Sequence, residues 1–85
     1  MITARQVRAA RALLGWTQEA LAGRALVSLT ALKRLESVNG LGVHEGTRDQ
    51  VRRALEAAGI VLLTSDRGEG VMIVERDRNQ NRLSR

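Results

Sequence analysis

The 85-residue chain has no cysteine, no proline, no phenylalanine and no tyrosine, and it carries one tryptophan, one histidine and one lysine. Each absence excludes something. Without cysteine there is no disulfide to staple a small fold and no thiol nucleophile. With His44 as the single histidine, neither a three-ligand zinc site nor a nucleophile–base pair can be assembled, so no metal, cofactor or enzymatic role is expected. Without Phe or Tyr, the core must be aliphatic. No apolar run approaches the roughly 18 residues of a membrane span, and no basic segment precedes a short apolar one as in a secretory signal. A cytoplasmic, reducing setting with no membrane partner is the resulting expectation.

What is present is aliphatic and basic. Alanine, leucine, valine and isoleucine dominate an apolar share of 44%, enough for one small domain but marginal for a monomer of this length. The net charge is +5, and 13 of the 14 cations are arginine, whose planar guanidinium forks two donors onto one phosphate. Residues 1–59 hold nine cations and five acids, net +4; residues 60–85 hold five and four, net +1. An anionic partner would therefore meet the first two thirds of the chain, although such a charge also suits a merely solvated surface.

Helix starts are well marked. Thr3-Ala-Arg-Gln6 is a capping box with Ile2 and Val7 placed as a hydrophobic staple, opening a helix with Val7, Ala10 and Leu14 on one face that stops at Gly15. Thr17 caps a second short helix ending near Arg24 or Ala25, stapled by Trp16 and Leu21. Ser28 caps a third, stapled by Val27 and Leu32, with Leu32 and Leu35 inward and Thr30, Lys33 and Arg34 outward. Thr47-Arg-Asp-Gln50 is a second capping box, predicting that a fourth helix opens there, with Val51, Leu55 and Ala58 inward and Gly59 at its end. Period 3.6 then gives way to the apolar runs Ile60–Leu63 and Val71–Val74 around a turn-rich segment from Thr64 to Gly70, which reads as a β-hairpin with a long loop. Residues 75–85 have one apolar side chain and read as a flexible polar tail. The Gly-rich stretch Gly40–Gly46 follows a helix instead of a strand and is no dinucleotide fingerprint.

The turn between the second and third helices, Ala25-Leu26-Val27, is as tight as in a helix-turn-helix unit. Leu14-Gly-Trp-Thr-Gln-Glu-Ala-Leu-Ala22, continued by Val27-Ser28, Leu32, Leu35 and Glu36, resembles the signature of the xenobiotic-response-element (Cro/C1-type) helix-turn-helix family. The likeness covers about residues 3–59. It implies a mainly α, λ-repressor-like fold: a four-helix DNA-binding domain over 1–59, then a C-terminal β-hairpin over 60–74. It departs at Leu26, where the family has glycine and where a left-handed backbone costs about 1–2 kcal/mol for any other residue.

The resemblance also implies roles. Leu29, exposed at the first position of the third helix, Thr30 and Arg34 would read bases, with Arg34 gripping guanine O6 and N7. Thr17, Gln18, Ser28, Lys33, Asn39 and His44 would meet phosphates. Arg11 and Glu36 would form a structural ion pair, and Trp16 would belong to the core. The implied activity is sequence-specific binding of a palindromic double-stranded DNA operator by a bacterial, nucleoid-associated homodimeric repressor. The alternative is the antitoxin of a toxin–antitoxin pair, using the tail or hairpin on a toxin protein; nonspecific nucleoid binding is a third reading. Neither hairpin run alternates apolar with polar, so a sheet with one wet face is not what it encodes. One face can pack on Val51 and Leu55. Ile60, Val61, Leu62, Leu63, Val71, Met72, Ile73 and Val74 are thus expected to form a two-fold dimer interface, by strand pairing or by stacking.

Overall fold

The computed structural model of the chain describes residues 2–37 and 43–74. Four helices, α1 (Ala4–Leu14), α2 (Gln18–Ala25), α3 (Leu29–Glu36) and α4 (Glu45–Ala57), precede an antiparallel hairpin of β1 (Ile60–Ser65) and β2 (Gly68–Ile73). No helix among the described residues is long and apolar enough to cross a membrane. Asn39 and the 75–85 segment lie outside the described residues.

Local signals start the first three helices. The Thr3 hydroxyl accepts from the Gln6 N–H at 3.2 Å, and the Gln6 side-chain oxygen accepts from the Thr3 N–H at 3.1 Å, closing the capping box. Thr17 and Ser28 each cap with their hydroxyls, accepting from Ala20 and Ala31 at 3.0 Å. α1 ends on Gly15 in the left-handed region. The staple residues Ile2, Val7, Leu21 and Leu32 are all buried, joining Ala10, Leu35, Val51, Leu55 and Ile60 in one aliphatic core with Trp16 and Val27 at its edge.

Two expectations fail, each because a side chain is used elsewhere. α4 opens at Glu45, not at Thr47, with His44 in the N-cap position making no side-chain cap bond. The Gln50 amide, needed for a capping box at Thr47, instead donates to the Ala25 carbonyl at 3.3 Å. Arg48 reaches the Ile2 carbonyl at 2.9 Å and pairs with Glu45 at 3.4 Å, which fixes one more turn at the start of α4. In the hairpin, the long loop is absent: Ser65 faces Gly68 across a turn of Asp66 and Arg67 only. Neither turn residue takes a positive φ. The Ser65 hydroxyl accepts from the Arg67 N–H at 3.1 Å, so a side chain supplies the turn's bond.

The hairpin also seats differently. β2 packs chiefly on α1, and β1 on α4, so helix α1 rather than α4 is its main support. Ile60, Leu62, Val71 and Ile73 line the inward face, opposite one another in register. Gln6 then does a second job: its amide nitrogen donates to the Leu63 and Gly70 carbonyls at 3.1 and 3.0 Å, one on each strand. Gly59 is required where α4 turns into β1, since its φ is 101° and a Cβ there would lie 2.8 Å from the Val74 carbonyl oxygen. α1 and α4 thus separate the hairpin from the α2–α3 pair.

The turn between α2 and α3 closes with Leu26 in the left-handed region, φ 59° and ψ 43°, and its side chain is 82% exposed. The backbone is strained there and no burial offsets it. Leu26→Gly is expected to raise stability by about 1 kcal/mol, or Tm by about 4–8 °C, in differential scanning calorimetry. An unchanged or lowered Tm would mean that Leu26 makes a stabilising contact in solution.

Candidate nucleic-acid interface

α3 divides sharply along its length. Leu32, Leu35 and Glu36 are buried, while Thr30, Lys33, Arg34 and Ser37 form an exposed stripe at helical spacing. Leu29, read from the sequence as exposed, is half-buried; its apolar surface is partly spent on the fold. The Ser28 hydroxyl is taken by its cap bond, and the same holds for Thr17 at the start of α2.

Glu36 fixes how this stripe is presented. Its carboxylate accepts from Arg11 Nε at 2.7 Å and Arg11 Nη2 at 2.9 Å, a bidentate pair, and from the Gln18 amide at 3.1 Å. The Glu36 carbonyl, the last of α3, accepts from the Arg8 guanidinium, a cation placed where the helix dipole favours one. Arg11 also donates to the Trp16 carbonyl at 3.1 Å. Hydrogen bonding to Glu36 pushes the Arg11 guanidinium to an even higher pKa than usual, so it is charged throughout. One carboxylate therefore holds α1, the first residue of α2 and the last turn of α3 together, and it brings Gln18 beside the turn that carries Lys33 and Arg34. The Arg11–Glu36 pair is as the sequence implies. Gln18 and Arg8 in the same cluster have no signal in sequence spacing, being 18 and 28 residues from Glu36.

The cations differ in what they are left to do. On α4, Arg48 pairs with Glu45, Arg52 with Asp49 and Glu56, and Arg53 with Asp49, three cations against three acids within one helix. Arg52 holds the Asp49 carboxyl below the usual carboxylate range by hydrogen bonding. Arg5 pairs with Glu69 at 2.7 Å, and Arg24 lies over the Trp16 ring at 4.5 Å from its centroid. Lys33 and Arg34, both exposed, have no ion-pair partner among the described residues. Their place in the last turn of α3 suits the helix dipole, worth about 0.3–1 kcal/mol each, and the Ser37 hydroxyl donates to the Arg34 carbonyl at 2.7 Å. His44 is exposed at the start of α4, and Asn39 lies outside the described residues.

No protein-family model matches the chain, and no curated protein matches its sequence.

Removing one partner of a buried, bidentate pair strands the other charge. Glu36→Ala is expected to cost about 3–5 kcal/mol in urea unfolding followed by Trp16 fluorescence. Replacing both partners, Arg11→Met with Glu36→Leu, should recover most of that loss. A Glu36→Ala variant that unfolds at the parent's urea midpoint would show that the pair contributes nothing.

Proposed function

We propose that this chain is a sequence-specific double-stranded DNA-binding regulator of the Cro/C1-type helix-turn-helix kind, a homodimeric repressor acting on a palindromic operator. The observation that carries the reading is the α3 stripe of Thr30, Lys33, Arg34 and Ser37, exposed on a two-turn helix that follows α2 across a tight turn. α3 would lie in the major groove, with Arg34 on guanine, Thr30 and Leu29 against base edges and thymine methyls, and Lys33 on a phosphate. Gln18 and Thr17, at the N-terminus of α2, would hold the flanking phosphate with backbone N–H groups and the free part of the amide. The Glu36 cluster supports this, because it fixes α2 and α3 relative to each other before any ligand arrives, and preorganised donors lose less entropy on binding. In such a repressor, occupancy of a promoter is sufficient mechanism. The antitoxin alternative places a toxin partly on residues 75–85, which lie outside the described residues.

A two-turn helix reads only a few base pairs, so operator specificity calls for a second copy, with reading helices about 34 Å apart on one side of the duplex. Selection of bound sequences from a random duplex pool tests the reading and returns the half-site spacing. On the selected operator, Arg34→Ala is expected to cost about 1–3 kcal/mol and to relax preference at one base pair. Gln18→Ala should weaken operator and random DNA alike, and Lys33→Ala should reduce the salt slope by about 1. Equal affinity of the parent for random and selected duplexes would overturn sequence-specific recognition.

A further inference from the structure

Val61, Leu63 and Met72 are three of the five exposed large hydrophobic side chains among the described residues, and all three project from the outer face of the hairpin. Val61 and Met72 are cross-strand partners near its open end, exposed by 37% and 47%. Towards the tip, Leu63 and Ser65 stand opposite Gly70 and Gly68, and these residues line a shallow hollow bordered by Thr64, Arg67 and Glu69. No ionisable side chain projects from this face: its positions are Val61, Leu63 and Ser65 on β1, and Gly68, Gly70 and Met72 on β2. The face therefore carries apolar knobs at one end and a glycine-floored hollow at the other.

We propose that this face seats the same face of a second copy of the chain, the two hairpins stacked antiparallel about a two-fold axis. The knobs Val61 and Met72 of each copy would then enter the hollow over Gly68 and Gly70 of the other. The occupant rests on the homodimer reading above, and three observations favour it. Two copies of a chain of net charge +5 repel, so they associate most readily where a surface carries no net charge; the outward strand positions are uncharged, and Arg67 and Glu69 at the border of the hollow are of opposite sign. A two-fold contact must be self-complementary, and a knob at one end with a hollow at the other satisfies that only in the antiparallel stack. Residues 75–85, which follow the hairpin directly, offer it little cover, because they hold a single apolar side chain, Leu83. Edge-to-edge strand pairing is the competing arrangement, and it would leave Val61, Leu63 and Met72 in water.

The two glycines give the discriminating variant. A Cβ on Gly70 would meet only Leu63, at 3.9 Å and 4.0 Å, which is ordinary contact, and one on Gly68 would meet nothing within 4 Å. The backbone at Gly70 thus accepts a side chain, and Gly70→Val fills the hollow, with circular dichroism checking that the fold is kept. Sedimentation equilibrium of the full chain, without DNA, is expected to show a dimer for the parent and self-association weakened by about tenfold or more for Gly70→Val. Met72→Ala in the Gly70→Val background shortens the incoming knob and should restore part of that loss, while Met72→Asp should leave monomers whose circular dichroism matches the parent's. A monomeric parent overturns the proposal, and so does a Gly70→Val variant that dimerises like the parent, as edge pairing would require. Binding of each variant to a duplex with a single half-site is measured in parallel. If that binding persists while the dimer is absent, the interface fails and the DNA reading stands; if it is absent in every variant while the dimer forms, the reverse holds.

Discussion

Everything about the presentation of α3 depends on one buried carboxylate. Glu36 is 6% exposed, and burying a carboxylate is costly unless its oxygens are filled with donors. Here Arg11 takes it bidentately and Gln18 adds a third donor, while Arg8 closes the same residue's carbonyl. The arrangement matters more in this chain than in one with aromatic residues. A core of Leu, Val, Ile and Ala is non-directional, and aliphatic side chains of similar size repack with small losses when a helix slides or rotates. Directional bonds pin what such a core leaves loose.

Helix α1 carries those pins along its length. Gln6 near its start bonds both strands of the hairpin, and Arg8 and Arg11 further on bond the end of α3. Its apolar residues Val7 and Ala10 meanwhile enter the core. A displaced α1 would disturb the hairpin and α3 together, because each is tied to it by a different polar side chain.

What could be read from the sequence follows from the range of the interactions. The capping bonds of Thr3, Thr17 and Ser28 span three residues, and each was legible from residue type and spacing alone. The Thr47 box has the same local pattern and misleads, because Gln50 is drawn to Ala25, 25 residues away. Gln6 shows both cases in one side chain: its oxygen serves the local cap, and its nitrogen serves strands 57 and 64 residues on. Gly68 and Gly70 read as loop residues by composition, yet they lie within β2 because the register opposite Ser65 and Leu63 is set by the inward pairs Ile60–Ile73 and Leu62–Val71. Helical spacing puts Glu36 on the inward face four residues after Leu32, but only the resemblance names Arg11 as its partner.

Net charge does not show which cations are left without an acid, and pairing does. Residues 1–59 carry +4, but the three arginines of α4 neutralise three acids on the same helix, and exposed pairs of this kind contribute little to stability. Their effect is on the field: they leave α4 electrostatically quiet, while Lys33 and Arg34 stand on α3 without partners among the described residues. The apolar outer face of the hairpin lies beyond α1 and α4 from that helix. Two surfaces of opposite character are thus held apart by a layer of two helices.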